Sequence, residues 1–266
     1  MKWAGGKSSL TGSVLKLAER QPIRRYFEPF LGGGAVFFAL RPRDAVLSDS
    51  NPELINSYSQ VQSNVEEVIE ELSIHQTEHS KTHYYSVRSH PPKDLTARAA
   101  WFLYLNRACY NGLWRVNSKG SFNVPMGSYK NPRIVDPEKL RRASRALRNA
   151  RIVCADFESV VTRLRPRPVL GDVVYFDPPY VPLSKTSQFT SYTKEDFTED
   201  DQRRLARVAA MLSERGVRVI LSNSETPLIR SLFRDPPFST EVVQMPRAIS
   251  SVGSGRGKIP ELLIHN

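Results

Sequence analysis

Val173-Val174-Tyr175-Phe176-Asp177-Pro178-Pro179-Tyr180 is the stretch around which the chain is organised. Its β-branched and aromatic run reads as a buried strand. Two prolines end that strand abruptly, because proline fixes φ and has no N–H to donate to a ladder. A carboxylate, prolyl carbonyls and a tyrosine ring are thus presented at a strand's carboxyl end, the edge where open α/β sheets bind ligands. The group suits one task, making an aromatic amino group nucleophilic. An adenine amino nitrogen shares its lone pair with the ring. Hydrogen bonds from that amino group to Asp177 and the Pro178 carbonyl would stabilise charge developing on nitrogen during attack, while Tyr180 stacks on the base. An ordinary strand and Pro-Pro turn fits the same residues, and alone they leave both readings open.

Composition narrows the classes. With 266 residues the chain has room for one large α/β domain, or one domain with an insertion. Lys and Arg number 38 against 27 Asp and Glu, a net charge of +11. Such a balance favours a polyanionic partner, nucleic acid before membrane, because neutralised phosphates release counterions. Cys109 and Cys154 stand far apart and form no CxxC pair. They imply a reducing compartment, with no disulfide or zinc framework. No apolar run reaches membrane-spanning length and no charged-then-apolar leader follows Met1, so a cytoplasmic protein with no membrane partner is expected.

In chain order, Lys2-Trp3-Ala4-Gly5-Gly6-Lys7-Ser8 invites a phosphate-loop reading. That motif needs a glycine five residues before Gly6, where Met1 stands, so a nucleotide triphosphatase is disfavoured. A glycine turn that lets Trp3 and Lys7 approach a ligand fits better. Next, Arg25-Tyr26-Phe27-Glu28-Pro29-Phe30-Leu31-Gly32-Gly33-Gly34 followed by Ala35-Val36-Phe37-Phe38 reads as strand, glycine-rich turn and apolar helix start. Backbone near Phe30, Gly32 and Gly34 can approach a cofactor, but the GxGxxG spacing is absent, so a nucleoside-type ligand is favoured over a nicotinamide. The strand Ala45 to Ser48 ends in Asp49, which can take a ribose hydroxyl pair or cap the helix that follows. His75, His79 and His83 fall four apart on one possible helix face. Without a Cys or HExxH partner they read as a solvated face, and no metal is expected.

Residues 97 to 132 differ in kind. A helical run through Trp101-Phe102-Leu103-Tyr104-Leu105 leads into Asn106-Arg107-Ala108-Cys109-Tyr110-Asn111-Gly112-Leu113-Trp114-Arg115-Val116-Asn117. Ser118 to Gly127, with Phe122, Asn123 and Pro125, reads as a short hairpin. Arginines, asparagines and aromatics interleaved in a turn-rich stretch are the types that read base edges, meet phosphates and fill gaps in an opened duplex. A basic helix follows from Pro137 to Asn149. Ile152 to Phe157 is then a strand ending in Asp156-Phe157, which can hold a cofactor's base or cap the next helix. Pro182 to Thr193 is placed to close over a substrate or simply to connect, and Arg247 to Lys258 reads as a flexible loop.

Taken together, Trp3-Ala4-Gly5-Gly6-Lys7, Glu28-Pro29-Phe30 with Gly32 to Gly34, Asn111-Gly112-Leu113, Phe122-Asn123-Val124-Pro125 and Asp177-Pro178-Pro179-Tyr180 occur in an order that resembles the Dam-type DNA adenine methyltransferases, over essentially the whole chain. The resemblance implies an α/β fold, a mixed seven-stranded S-adenosylmethionine-dependent methyltransferase sheet with an inserted helical and hairpin target-recognition domain. The expected division is a catalytic domain of 1–58 and 146–266 and a recognition domain of 59–145. It implies S-adenosylmethionine as donor, with Trp3, Lys7, Phe30, Gly32, Gly34, Asp49, Asp156, Phe157 and Asp177 around it. Asp177 and Pro178 would act on adenine and Tyr180 would stack on the flipped base. Tyr110, Leu113, Arg115 and Pro125 match positions that contact or wedge into DNA, with Asn111, Gly112, Asn117 and Asn123 beside them. Double-stranded DNA is the implied partner, often at GATC, and a cognate restriction endonuclease is a possible second one. Trp114 and Ser118-Lys119 depart from the family and bear on the target sequence. A dead scaffold that only binds DNA, or an RNA methyltransferase, is the remaining alternative.

Overall fold

The computed structural model describes residues 10–180, 197–246 and 258–266. Trp3, Lys7, the 182–193 loop and residues 247–257 lie outside them. In chain order the elements are α1 (Thr11–Ala18), β1 (Tyr26–Glu28), α2 (Ala35–Leu40), β2 (Ala45–Asp49), α3 (Pro52–Ser63), α4 (Val65–Glu78), α5 (Lys81–Ser89), α6 (Leu95–Ala108), α7 (Pro137–Leu147), β3 (Ala150–Cys154), α8 (Phe157–Thr162), β4 (Val173–Phe176), α9 (Glu199–Glu214), β5 (Arg218–Ser224), α10 (Pro227–Leu232), β6 (Ser239–Pro246) and β7 (Lys258–His265). The strands make a seven-stranded sheet in the order β3-β2-β1-β4-β5-β7-β6. β1 pairs in parallel with β2 and β4, and β4 with β5. β7 is antiparallel to both β5 and β6. The expected mixed seven-stranded sheet is therefore present. Its order reverses at β1 and β4, which makes their carboxyl ends the topological switch point where α/β sheets place ligands.

Two compact units divide at 48/49 and 154/155, whereas sequence patterning put the divisions at 58/59 and 145/146. The strand-helix alternation lapses after Tyr58, but α3 packs on α6 and α7, and β3 packs on α3. Packing therefore draws both into the helical unit.

In that unit, of residues 49–154, α3 starts sharply because Asn51 Oδ1 accepts from the N–H groups of Glu53 and Leu54 at 3.0 and 3.2 Å, with Pro52 in the first turn. The cap is thus Asn51, and Asp49 supports it by accepting from the Asn51 N–H at 3.0 Å. Helix α6 is buried on most sides through Ala99, Ala100, Trp101, Phe102, Tyr104, Leu105 and Ala108. Arg98 ties it to α3 through a two-pronged pair with Glu53. The three histidines do not form a solvated face. α4 stops at Glu78, so His83 lies on α5, and the imidazoles gather half-buried around Tyr104. His75 stacks on that ring at 4.6 Å, and His79 Nδ1 meets its hydroxyl at 3.0 Å. Burial, with His83 beside it, pushes His75 down to about 4.

The other unit holds the central strands. Val173 to Phe176 are all essentially inaccessible, as a continuous apolar run requires when helices cover both sheet faces. Val174 and Phe176 pack with Val160 and Val161 of α8, Leu205, Val208, Ala209 and Leu212 of α9, and Val219 and Leu221 of β5. Helix α9 ends in a tight return to β5. Gly216 N–H donates to the Ser213 carbonyl at 2.9 Å, Val217 N–H donates to that of Leu212 at 3.1 Å, and Gly216 sits at φ 72°. This paired closure needs a left-handed residue, which glycine supplies without a Cβ penalty. Gly216→Ala is expected to destabilise the protein by about 1–2 kcal/mol, since its Cβ would also lie 2.8 Å from Leu170 Cδ1. Urea unfolding of both proteins measures this.

Candidate active site

Register explains how the Asp177-Pro178-Pro179-Tyr180 turn is held. Tyr175 pairs with Ile220 and Phe176 with Leu221 in parallel strands, so Asp177 continues at the level of Ser222. Ser222 Oγ donates to Asp177 Oδ1 at 2.8 Å, and the Tyr175 hydroxyl lies 3.0 Å from Ser222 Oγ. Burial and the neighbouring Asp177 charge push the Tyr175 phenol well up, so it stays protonated and can feed this chain as a donor. Two further grips act beyond the aspartate. Gln202 of α9 donates to the Pro179 carbonyl at 3.0 Å while accepting from Asn223 Nδ2 at 2.9 Å. Tyr180 donates to Glu261 Oε2 at 2.8 Å, which fixes the ring's tilt. A hydrogen bond to a charged group contributes about 1.5–3 kcal/mol. Asp177 and Tyr180 are half-buried and Pro178 is buried.

A second carboxyl sits at the same edge. Glu28 ends β1, is 2% exposed, and accepts from the Tyr26 hydroxyl at 2.9 Å. Burial raises it to about 8. The Asp177 charge adds to the rise, whereas bonds from Tyr26 and the Phe37 backbone oppose it. At neutral pH Glu28 is therefore mainly protonated, which lowers the negative charge at the switch point.

The glycine turn after β1 runs through Gly32 at φ 45° and Gly34 at φ 65°, both left-handed. Phe30, half-buried, stacks on Phe157 with ring centroids 5.2 Å apart and meets Phe197 edge-on at 5.7 Å. Phe157 itself is 3% exposed and belongs to the core. Of the two jobs read for Asp156, the structure realises the helix cap. Its Oδ1 accepts from Glu158 N–H at 3.0 Å, and Arg204 bridges both carboxylate oxygens at 3.1 and 2.9 Å. Asp49 ends β2 in the helical unit.

Within that helical unit, the proposed reading residues sit on a short braced hairpin. Asn111 and Gly112 take left-handed φ of 54° and 66°. Asn106 Nδ2 holds the Gly112 carbonyl at 3.0 Å, and Tyr110 N–H donates to the Pro125 carbonyl at 2.9 Å. Trp114 is buried at 4% exposure against Phe102 and Phe122, 4.4 and 4.8 Å away. Trp114, expected to bear on the target sequence, is therefore a core residue of the hairpin. Tyr110, Asn111, Arg115, Asn117 and Pro125 are exposed, Leu113 and Asn123 half-buried, and Gly112 buried. Asn117 Oδ1 accepts from the N–H groups of Lys119 and Ser121, both at 3.0 Å, which closes the tip. Arg115 Nε donates to Asn123 Oδ1 at 2.8 Å, so its guanidinium is oriented before any ligand arrives.

Ser222, Gln202, Asn223, Glu261, Tyr175 and Glu28 were not foreseen as members of the site. One signal was available. Ser222-Asn223-Ser224 ends an otherwise apolar strand, and polar residues at the end of a buried strand need partners. Among the described residues no group of three His, Cys, Asp or Glu is placed to hold a metal, and no helix is long and apolar enough to cross a membrane.

The family model for the D12 class of N6 adenine-specific DNA methyltransferases matches residues 3–249. The chain is 45% identical to the type II methyltransferase M1.LlaDCHI of Lactococcus lactis subsp. cremoris, over 100% of this chain and 94% of that protein. It is 42% identical to the type II methyltransferase M.MjaIII of Methanocaldococcus jannaschii, over 100% and 98%. With the DNA adenine methylase of Escherichia coli K12 it shares 37% identity over 99% and 93%.

The Glu28 geometry predicts a pH effect. Glu28 ionises near 4.5 when unfolded and near 8 when folded, so between those values the folded state binds more protons and stability falls as pH rises. Glu28→Gln keeps an acceptor for Tyr26 and is expected to remove that fall. Denaturant unfolding from pH 5 to 8.5 checks it; parallel profiles for the two proteins would contradict it.

Proposed function

The chain belongs to the D12 class of N6 adenine-specific DNA methyltransferases, and on that premise we propose that it methylates adenine at one short site in duplex DNA, GATC or a close relative, with Asp177, Pro178 and Tyr180 at the reacting centre. The observation carrying this is the triple hold on the Asp177-Pro178-Pro179-Tyr180 turn. A preorganised acceptor costs no reorganisation when charge develops, which is the condition for electrostatic catalysis. In this reading the flipped adenine donates its amino hydrogens to Asp177 and to the Pro178 carbonyl. Tyr180 stacks on the base, its tilt set by Glu261. The nitrogen thereby gains electron density as a nucleophile for the donor's methyl group, whose bond to sulfur would break with the electron pair staying on sulfur, and the surplus proton on nitrogen leaves to solvent.

S-adenosylmethionine is the donor that the family implies, and the residues suit it. The left-handed Gly32 and Gly34 leave backbone approachable. Asp49 carries a carboxylate oriented by the Asn51 N–H, suited to a ribose hydroxyl pair. Phe30 offers a half-buried aromatic surface backed by Phe157, and Trp3 and Lys7 are assigned to the same job by their motif. When bound, the group supplies an electrophilic methyl.

Tyr110, Asn111, Gly112, Leu113, Arg115, Asn117, Asn123 and Pro125 are assigned to the DNA, with Arg115 as the base reader. A cytoplasmic setting, where chromosomal DNA is within reach, suits this role. A nuclease of the same specificity would be the natural counterpart if the enzyme serves in restriction and modification.

Expression in a host lacking adenine methylation, with single-base mapping of methyladenine, tests the function. Modified adenines within one short sequence are expected; a blank map from folded protein would favour a DNA-binding scaffold or an RNA substrate. Asp177→Ala is expected to bind duplex but lose methyl transfer by a factor on the order of 10²–10³ or more. Near-normal turnover would remove Asp177 from the mechanism. Arg115→Ala is expected to lose about 1–3 kcal/mol of discrimination at one base pair, and Asn123→Ala part of it through the lost 2.8 Å bond. An equal loss on all sequences would make Arg115 a phosphate contact.

A further inference from the structure

We propose that a cavity on the sheet edge opposite Asp177 is a binding site for a phosphoryl group or a similar oxyanion. Asp177 follows the carboxyl end of β4, whereas Arg218 opens the parallel strand β5 and His265 closes the antiparallel strand β7. Those two residues therefore lie at the far edge. There, Leu17, Arg20, Gln21, Arg218, Ile220, His265 and Asn266 line a cavity of about 220 Å³.

Two of its polar residues, Arg20 and Arg218, are cations. Arg218 Nη1 bonds the carbonyls of Ala18 and Gln21, and Nη2 bonds Gln21 Oε1 at 3.3 Å. These contacts cap the end of α1 and lock the guanidinium in place. A guanidinium has five N–H groups. Nε–H and the second Nη2–H have no partner among the described residues, and they form the side-on pair that binds an oxyanion in bidentate fashion. Arg20 adds a second positive charge close enough to depress Arg218 further, after burial itself. Neither arginine has a carboxylate partner among the described residues. Two like charges held together without a counterion are relieved by an anion.

His265 is a further polar residue of the lining, and its ring is a reporter on the cavity. It is 8% exposed, its Nε2 faces Glu241 Oε1 at 3.3 Å, and its Nδ1 is buried with no hydrogen-bond partner. Buried polar atoms without partners are rare.

The test titrates the full chain with inorganic phosphate against chloride at equal ionic strength, reading the His265 imidazole resonances, identified by their absence in His265→Asn. A saturable phosphate-specific shift is expected. Arg20→Gln, which removes an exposed side chain, and Arg218→Lys, which keeps the charge but not the side-on pair, are each expected to weaken it about tenfold. Methylation kinetics then separate the sources of phosphate. An unchanged KM for duplex in Arg20→Gln assigns the site to a small free anion. A KM raised uniformly across sequences, with a salt slope reduced by about one, assigns it to the DNA backbone. If phosphate acts no differently from chloride, or Arg20→Gln binds it as the parent does, the proposal is overturned.

Discussion

The hydrogen bond from Ser222 to Asp177 is possible because β4 and β5 pair in parallel with one particular register. A slip of one residue would turn Ser222 to the other sheet face and bring Leu221 or Asn223 to the level of the carboxylate instead. That register is fixed by Val174 and Phe176 on one side of the pair and Val219 and Leu221 on the other, all inaccessible to solvent. Core packing thus sets the position of a single polar group at the site. The prolines extend the same logic. Lacking N–H groups, Pro178 and Pro179 cannot prolong the ladder, so the chain leaves the sheet and side chains hold it instead, Gln202 at the Pro179 carbonyl and Glu261 at Tyr180.

Charge at this edge is rationed by burial. Glu28, Tyr26, Tyr175 and Tyr180 all have their ionised forms disfavoured, in each case chiefly by desolvation and further by the Asp177 charge. The phenols remain donors and Glu28 largely neutral. A ligand at this edge would therefore meet a field to which Asp177 and Glu261 contribute, in surroundings where water screens it weakly.

The strands were legible because their patterns are local. Val173 to Phe176 is apolar throughout and ends in prolines, so both its burial and its stop follow from the residues themselves. The Asp-Pro-Pro-Tyr turn was legible for the same reason. What holds the turn was not, since Ser222, Gln202 and Glu261 stand 45, 23 and 81 residues from their partners and only the fold brings them near. Asp156 shows another limit. An acid at a strand end serves equally as ligand or helix cap, and the Arg204 that orients it here stands 48 residues away. The histidines misled because spacing of four suggests one helix, whereas the helix ends between them. Trp114 was ambiguous too, because an aromatic in a hairpin looks the same whether it faces solvent or core.

That inward Trp114 bears on how the hairpin would discriminate among sequences if it reads DNA as proposed. A short hairpin has little stability of its own. This one rests on Trp114 and Phe122 packed against Phe102 and Trp101 of α6, and Tyr84 and Arg88 both donate to the Val124 carbonyl. With its base anchored, its tip closed by Asn117 and Arg115 leaning on Asn123, few rotamers remain to be lost on binding. Side-chain ordering at an interface costs about 0.5–1.5 kcal/mol per flexible residue, comparable to what one good base contact contributes. If Arg115 reads a base as proposed, its prior orientation by Asn123 would keep most of that contact's free energy as discrimination. Had Trp114 faced outward instead, the hairpin would have gained one exposed stacking surface and lost the packing on Phe102 and Phe122 that holds its other side chains in place.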